Sequence, residues 1–150
     1  MTRNVEGPDT ETRIRESFAR QGLMETLGAT LVAASPGLVE IALRPVPAVS
    51  QQHGFVHGGA VSAIADSAAG YAALSLMPAD VGVLTTEFKI NFLAPAAGGR
   101  IVARGRVVKA GRTLTLAQAD VFAERDGRET LVAVLTATLM AIRGRDGISD

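Results

Sequence analysis

The chain of 150 residues contains no cysteine and no tryptophan, and its aromatic content is five Phe and one Tyr. Without cysteine there is no disulfide, no thiolate metal ligand and no sulfur nucleophile. Two histidines in the whole chain are too few for a dedicated metal site, so no metal is expected. Net charge is missing as well, since fifteen Lys and Arg balance fifteen Asp and Glu. A neutral chain with few rings has neither the basic footprint nor the stacking platform that nucleic acid requires, which argues against such a partner. Residues 1–7 are polar and read as neither a secretory signal nor a transit peptide, so the expected compartment is the cytoplasm. Chemistry is left to carboxylates, hydroxyls, backbone amides and the two histidines.

What the chain has is apolar surface. Hydrophobic residues make up 47% of it, enough at this length for one domain with its own core. The stretch from Gly58 to Met77 is uncharged except for Asp66 and approaches the ~20 residues of a bilayer span. A central acid, the polar Ser62, Ser67 and Ser75, and the lack of a second span instead fit a helix buried within a soluble fold.

Around that helix, Asp9 or Thr10 caps a short amphipathic helix carrying Ile14 and Phe18, expected to stop at Gly22 and to lie at the periphery. Thr26 to Ala34 and Leu38 to Arg44 read as a hairpin about Ser35-Pro36-Gly37. A Gln, His and Gly-rich loop from Val46 to Val56 leads into the long helix, predicted from Gly58 to about Leu76 and ended by Pro78. From Gly82 the period changes to two, with Leu84, Thr86, Phe88, Ile90 and Phe92 on one face and Thr85, Glu87, Lys89 and Asn91 on the other. Three more strands, Arg100 to Ala110, Thr113 to Glu124 and Glu129 to Ile142, are joined by Ala110-Gly111-Arg112 and by the tight-turn pair Asp126-Gly127. The last strand is apolar on both faces, more than one helix can cover, which calls for an oligomer. The fold class is α+β: one antiparallel sheet around one central helix.

The chemistry-bearing stretch is Gln51-Gln52-His53-Gly54-Phe55-Val56-His57-Gly58-Gly59, with Asp66 following. Two glycines at a helix start admit a substrate close to the backbone, where unpaired N–H groups and the helix dipole favour developing negative charge. The plainer alternative is a tight turn capped by His57. Asp66, in a helix without a polar stripe, is either solvent-facing or a base whose pKa burial raises. Eight residues at 1.5 Å rise separate Gly58 from Asp66 by about 12 Å, so both can serve one reacting carbon only if they come from different chains.

His57-Gly58-Gly59, Ala65-Asp66, Asn91-Phe92-Leu93-Ala94-Pro95 and Gly111-Arg112-Thr113, in this order, resemble the PaaI-like branch of the hotdog-fold acyl-CoA thioesterases. The resemblance covers about residues 23–142 of a single domain spanning 1–150, leaving a helical arm at 9–22 and a polar tail at 143–150. It implies hydrolysis of a small aryl or short to medium-chain acyl-CoA to the acid and CoA, without cofactor. By position, the Gly58 N–H would bind the thioester oxygen and Asp66 of a second chain would act as base or nucleophile. Gln51 stands where relatives often carry Asn to place water, and Thr85 where Ser is common. His57 and Gly59 would contact substrate or order the loop, while His53 has no matching role. Lys109 and Arg112 are candidates for CoA phosphates or a solvated turn, and Arg104 and Arg106 read as exposed positions on one strand face. The expected assembly is a homodimer as minimal unit, arranged as a dimer-of-dimers homotetramer away from membranes. A non-catalytic acyl-CoA-sensing module is the alternative, and an acyl-thioester dehydratase or hydratase a third reading.

Overall fold

The computed structural model describes residues 9–150, so the segment 1–7 read for export signals lies outside the described residues. Six strands form one antiparallel sheet: β1 (Thr30–Ser35), β2 (Leu38–Leu43), β3 (Gly82–Phe92), β4 (Arg100–Lys109), β5 (Leu114–Arg125) and β6 (Arg128–Ile142). Their spatial order is β1-β2-β4-β5-β6-β3, which leaves β1 and β3 as the two edges. The order follows from the hairpins. Asp126 (φ 49°) and Gly127 (φ 73°) both take the left-handed conformation that a two-residue hairpin needs, and this turn registers β5 against β6 over twelve pairs from Leu114↔Met140 to Arg125↔Arg128.

Among the described residues three α-helices precede or cross the sheet, α1 (Thr10–Ala19), α2 (Gly22–Leu27) and α3 (Gly58–Leu74), with a single 3-10 turn at Pro47–Val49 before α3. The central helix α3 packs against β2, β3, β4, β5 and β6. Its small residues Ala65, Ala68, Ala69, Ala72 and Ala73 are all but fully buried, and they let the helix lie close to the strands. The closest approach is at Gly105 on β4, where a Cβ would stand 2.2 Å from the Ala68 carbonyl oxygen, so only glycine fits beneath the helix. Among the described residues no helix is long and apolar enough to cross a membrane.

The arm differs from its expected form. Asp9 does cap α1, its side chain accepting from Thr12 N at 2.8 Å. Gly22, however, opens the second helix α2 instead of ending the arm, and Thr26 and Leu27 are helical. The chain turns into β1 only after Gly28, a left-handed cap at φ 66°. Nor is α1 peripheral: Ile14 is buried, and Arg13 donates to the carbonyls of Met77 (2.8 Å), Val81 (2.7 Å) and Leu74 (3.4 Å). One guanidinium thus satisfies carbonyls at and beyond the end of α3, which stops at Leu74, two residues before the predicted Leu76. The tail also folds back. Asp150 accepts from Ser17 Oγ and Val83 N through its carboxylate, and Ile148 covers Gly82.

The edge strand β3 departs most from the alternating pattern. Its register against β6 slips between Thr85↔Leu139 and Glu87↔Thr138, so Thr86 is an extra, bulged residue. The bulge reverses the parity of the strand's first part. Val83 and Thr85 lie on the helix side together with Phe88, Ile90 and Phe92, while Leu84 faces outward beside Met140. The strand is also less buried than its pattern implies, with Leu84 48%, Phe88 45% and Phe92 54% exposed. On the outer sheet face, Arg104 is not a free surface cation. It pairs with Glu40 (3.1 Å) and Glu129 and stacks 4.8 Å from the centre of the Phe122 ring, and these carboxylates hold its pKa above the usual range. Arg106 is exposed as expected.

Candidate active site

The sequence HGG forms the start of α3. His57 is the N-cap residue, and its Nδ1 accepts from Gly59 N at 2.7 Å. That bond requires an unprotonated Nδ1. The His57 carbonyl accepts from Ala60 N (2.9 Å) and Val61 N (3.1 Å). Three of the four first-turn amides are therefore committed to His57. The fourth, Gly58 N–H, has no hydrogen-bond partner among the described residues. Gly58 lines a cavity of about 310 Å³ together with Gln51, Phe55, Phe92 and Pro95. A Cβ on Gly58 would come within 3.1 Å of Phe92 Cζ, and one on Gly59 within 3.0 Å of His57 Nδ1. The two glycines have different tasks: Gly58 leaves room for Phe92 and presents a free donor, whereas Gly59 accommodates the capping ring.

Gln51 stands at the mouth of the loop before the helix. Its backbone closes the loop, donating to Phe55 O at 2.8 Å and accepting from Gly54 N at 3.0 Å. Its side-chain Oε1 accepts from His53 N, its amide nitrogen has no hydrogen-bond partner among the described residues, and the residue lines the Gly58 cavity. His53 is an exposed loop residue that takes no other part. Val56 N–H donates to Ala96 O, fixing the loop against the segment after β3, and His57 N–H donates to Val49 O within the loop. The short motif Asn91-Phe92-Leu93-Ala94-Pro95 thus supplies both the Phe92 ring over Gly58 and one cavity wall.

Asp66 lies two turns farther along α3, half-buried, and its Oδ1 accepts from Thr85 Oγ1 at 2.8 Å. Burial pushes its pKa above the ordinary 3.8, because the charged form loses water, and the Thr85 hydrogen bond opposes the rise. The bulge at Thr86 makes this pair possible: with unbroken alternation Thr85 would point away from the helix. Asp66 and Thr85 line a second, smaller cavity of about 90 Å³, and no residue lines both this cavity and the one at Gly58. The structure therefore brings together Gly58 with Gln51, and Asp66 with Thr85, but not the two pairs within one chain.

Lys109 and Arg112 sit elsewhere again. Lys109 pairs with Leu116 at the end of β4, and the Arg112 carbonyl accepts from Arg143 Nη2 at 3.0 Å. Thr113 O accepts from Ala141 N, and Leu114 is aligned through Met140 with Leu84. This loop is accordingly at the end of the sheet where β3 begins, the Thr85 end rather than the Gly58 end. The polar side chains Gln21, Ser67 and Tyr71 beside Asp66 are not singled out by the sequence. A signal for two of them is present, because Ser67 and Tyr71 are four apart and so share a helix face. Among the described residues no three His, Asp or Glu side chains cluster closely enough to hold a metal.

The thioesterase superfamily profile matches residues 53–130. A solved thioesterase family protein from Silicibacter pomeroyi is 54% identical and superimposes with a TM-score of 0.86 over 89% of this chain and 98% of that one. A point mutant of the phenylacetic acid degradation protein PaaI from Thermus thermophilus is 27% identical, with a TM-score of 0.69 over 80% of this chain and 98% of that one. The 1,4-dihydroxy-2-naphthoyl-CoA hydrolase of Listeria monocytogenes is 26% identical over 83% of this chain and 98% of its own length. The chain belongs to the thioesterase superfamily, as a PaaI-like thioester hydrolase whose sheet and central helix form the hotdog fold.

Proposed function

We propose that the protein hydrolyses acyl-CoA thioesters to a carboxylic acid and CoA at a site shared between two copies of the chain. The observation that carries this reading is the unpartnered Gly58 N–H at a helix start. It is a donor aimed at developing negative charge, on a helix that also carries a carboxylate whose pKa burial raises. In this reading the thioester oxygen accepts from Gly58 N–H, which polarises the carbonyl carbon. Asp66 of the other chain removes a proton from water as the water oxygen bonds to that carbon. The carbon–sulfur bond then breaks, and the proton goes to the departing thiolate, giving acid and thiol. The alternative, direct attack by the Asp66 carboxylate, passes through an anhydride that water opens, and Gly58 has the same task in both. In this reading the Thr85 hydroxyl favours the ionised form of Asp66 and orients it, and the Gln51 amide holds the water.

Support for the shared site comes from the edge strand. Leu84, Phe88 and Phe92 are exposed on a strand with one unpaired side, an arrangement that a second strand would cover. Antiparallel pairing of two β3 strands about Phe88 would set Glu87 of each against Lys89 of the other, a complementary cross-strand charge pair. The same pairing carries Thr85 and Asp66 of one copy toward Phe92 and Gly58 of the other. The Arg112 loop, at the Thr85 end, then belongs to the copy that gives Asp66, within reach of CoA phosphates. The outward row of Leu84, Met140 and Leu114 supports a further contact between dimers, consistent with a tetramer. A thiol-release screen with aryl, short, medium and long acyl-CoAs tests the activity. Turnover of at least one class, lost in Asp66→Asn, is expected, whereas saturable binding of acyl-CoA without thiol release would replace the enzyme by a sensing module.

A further inference from the structure

The segment after β6 reads as a polar tail in the sequence, yet it is threaded back along the start of the edge strand β3. Left-handed Gly144 (φ 59°) and Gly147 (φ 78°) turn it. Ile148 closes over Gly82, where a Cβ would stand 2.7 Å from its Cγ2. Asp150 then makes three contacts: its carboxylate accepts from Val83 N–H at 3.0 Å and from Ser17 Oγ at 3.1 Å, and its backbone oxygen accepts from Arg13 Nε at 2.8 Å. The hydrolytic steps proposed above make no use of this carboxylate.

Two of these contacts lead to the cavity beside Asp66. Val83 lines that cavity, and its N–H points off the sheet, because the paired Ala141 turns its own N–H the other way, to Thr113 O, and the two residues exchange no hydrogen bond. Asp150 therefore satisfies an amide that the free edge would leave bare. The second route runs through Ser17. Ser17 spends its proton on Asp150, so in its bond with Tyr71 Oη the tyrosine is the donor, and Tyr71 in turn accepts from Gln21 Nε2. The carboxylate thus sets one direction for the chain of hydrogen bonds behind Asp66.

The bulge makes the edge contact matter for the Asp66 carboxylate. Before the irregularity at Thr86, β3 is a piece of four residues, Gly82 to Thr85, paired to β6 on one side alone. Thr85, the hydrogen-bond donor to Asp66, ends this piece, two residues from Val83. We infer that Asp150 is a positioning residue for the proposed base: it fastens this piece of strand against α1 and so holds the Thr85 hydroxyl on Asp66. The role of Asp66 as base rests on the thioesterase reading above, whereas these contacts do not. Arg13 on α1, which also feels Asp80, is the cation that faces Asp150. Among the described residues the cavity beside Asp66 is otherwise lined by uncharged groups, among them Thr85 from β3, Gln21 from the arm, and Tyr71 from α3, a phenol whose pKa burial raises.

The test is a pH titration of Asp66 by side-chain carboxyl NMR, with Asp66→Asn to assign the signal, run beside the kcat/KM profile for thiol release. Asp150→Ala removes the acceptor for Val83 N–H yet keeps the backbone oxygen that Arg13 holds. A loosened Thr85 contact favours the neutral acid, so the Asp66 midpoint and the acid limb should both move up by about 0.5 pH unit. Thr85→Val, which deletes a hydrogen bond to a charged group, should move them by about 1 unit. Asp150→Asn, with one carbonyl oxygen left to accept, should shift them in the same direction by less, and it serves where Asp150→Ala folds poorly. Introduced into Thr85→Val, Asp150→Ala should add no further shift. An unchanged Asp66 titration in a folded Asp150 variant, or an equal shift in the Thr85→Val background, would overturn the inference, even where urea unfolding shows lost stability. A wild type that releases thiol from no acyl-CoA would defeat the thioesterase reading, while the NMR titration would still decide whether Asp150 positions Asp66.

Discussion

The shared site can be tested by restoring activity from two inactive proteins. Gly58 and Asp66 are eight residues apart on one helix, about 12 Å along its axis, and line separate cavities. Take Asp66→Asn, which removes the proposed base, and Gly58→Pro, which removes the N–H donor at a helix position where proline is ordinarily accommodated, its ring pushing the Phe92 side chain slightly aside. Loss of a general base costs roughly 10²- to 10⁴-fold, and loss of an oxyanion donor roughly 10²- to 10³-fold. Each variant refolded alone should therefore show about 1% of wild-type activity or less. Mixed in equal amounts, unfolded and refolded, they pair at random, so about half the dimers carry one chain of each kind. In such a dimer one site inherits both intact groups and the other both defects. Recovery should approach roughly a quarter of the wild-type rate, well above either parent. Thiol release measures it, and intact-mass analysis shows that mixed dimers formed. Activity no higher than the parents' in a sample proven to contain mixed dimers would refute the cross-chain geometry.

Other expectations follow from the same contacts. Thr85→Val removes the hydrogen bond that holds the Asp66 pKa down, so the acid limb of the kcat/KM profile should move to higher pH. Because burial raises Asp66 above its ordinary 3.8, the folded protein keeps a proton that the unfolded chain has released between the two values. Stability should accordingly fall as pH rises through that window, and Asp66→Asn should remove the fall and raise Tm at pH 7 while abolishing turnover. Arg13→Met deletes the donors to Met77 and Val81 carbonyls and should cost about 2–3 kcal/mol in urea unfolding. Arg112→Ala should raise KM for acyl-CoA while leaving kcat/KM for a short thioester without a nucleotide nearly unchanged, and an equal effect on both would make Arg112 structural.

Local chemistry makes much of this legible in the sequence. The Asp126-Gly127 turn, the charge-free run around Asp66 and the HGG start are each decided by residues next to one another, and the cross-chain argument needs only the helical rise. The features that escape depend on partners far away in sequence. Leu84-Thr85-Thr86 gives no sign of which residue is extra, since all three suit a strand, and the bulge is fixed only by its register against Leu139 and Thr138. The end of helix α2 reads as strand because its six residues are too few for a helical period to show, and Thr26 favours strands. Arg13 has the sequence context of an ordinary surface cation, and its burial depends on carbonyls more than sixty residues away. Gln21 likewise meets Tyr71 only through the fold, fifty residues along the chain.

The contact between Gly105 and the Ala68 carbonyl bears on how such a site can be altered. Ala68 is two residues from Asp66 on a rigid helix, so the crossing point acts as a stop that sets the height of the carboxylate above the sheet. A single methyl group at position 105 would have to lift α3, since the obstructing atom is backbone and cannot rotate aside. The lift would be read at the Thr85 to Asp66 hydrogen bond, now 2.8 Å, long before it disturbed the sheet. Substitutions in the strand beneath the helix would therefore shift the Asp66 carboxylate itself and not merely the room beside it.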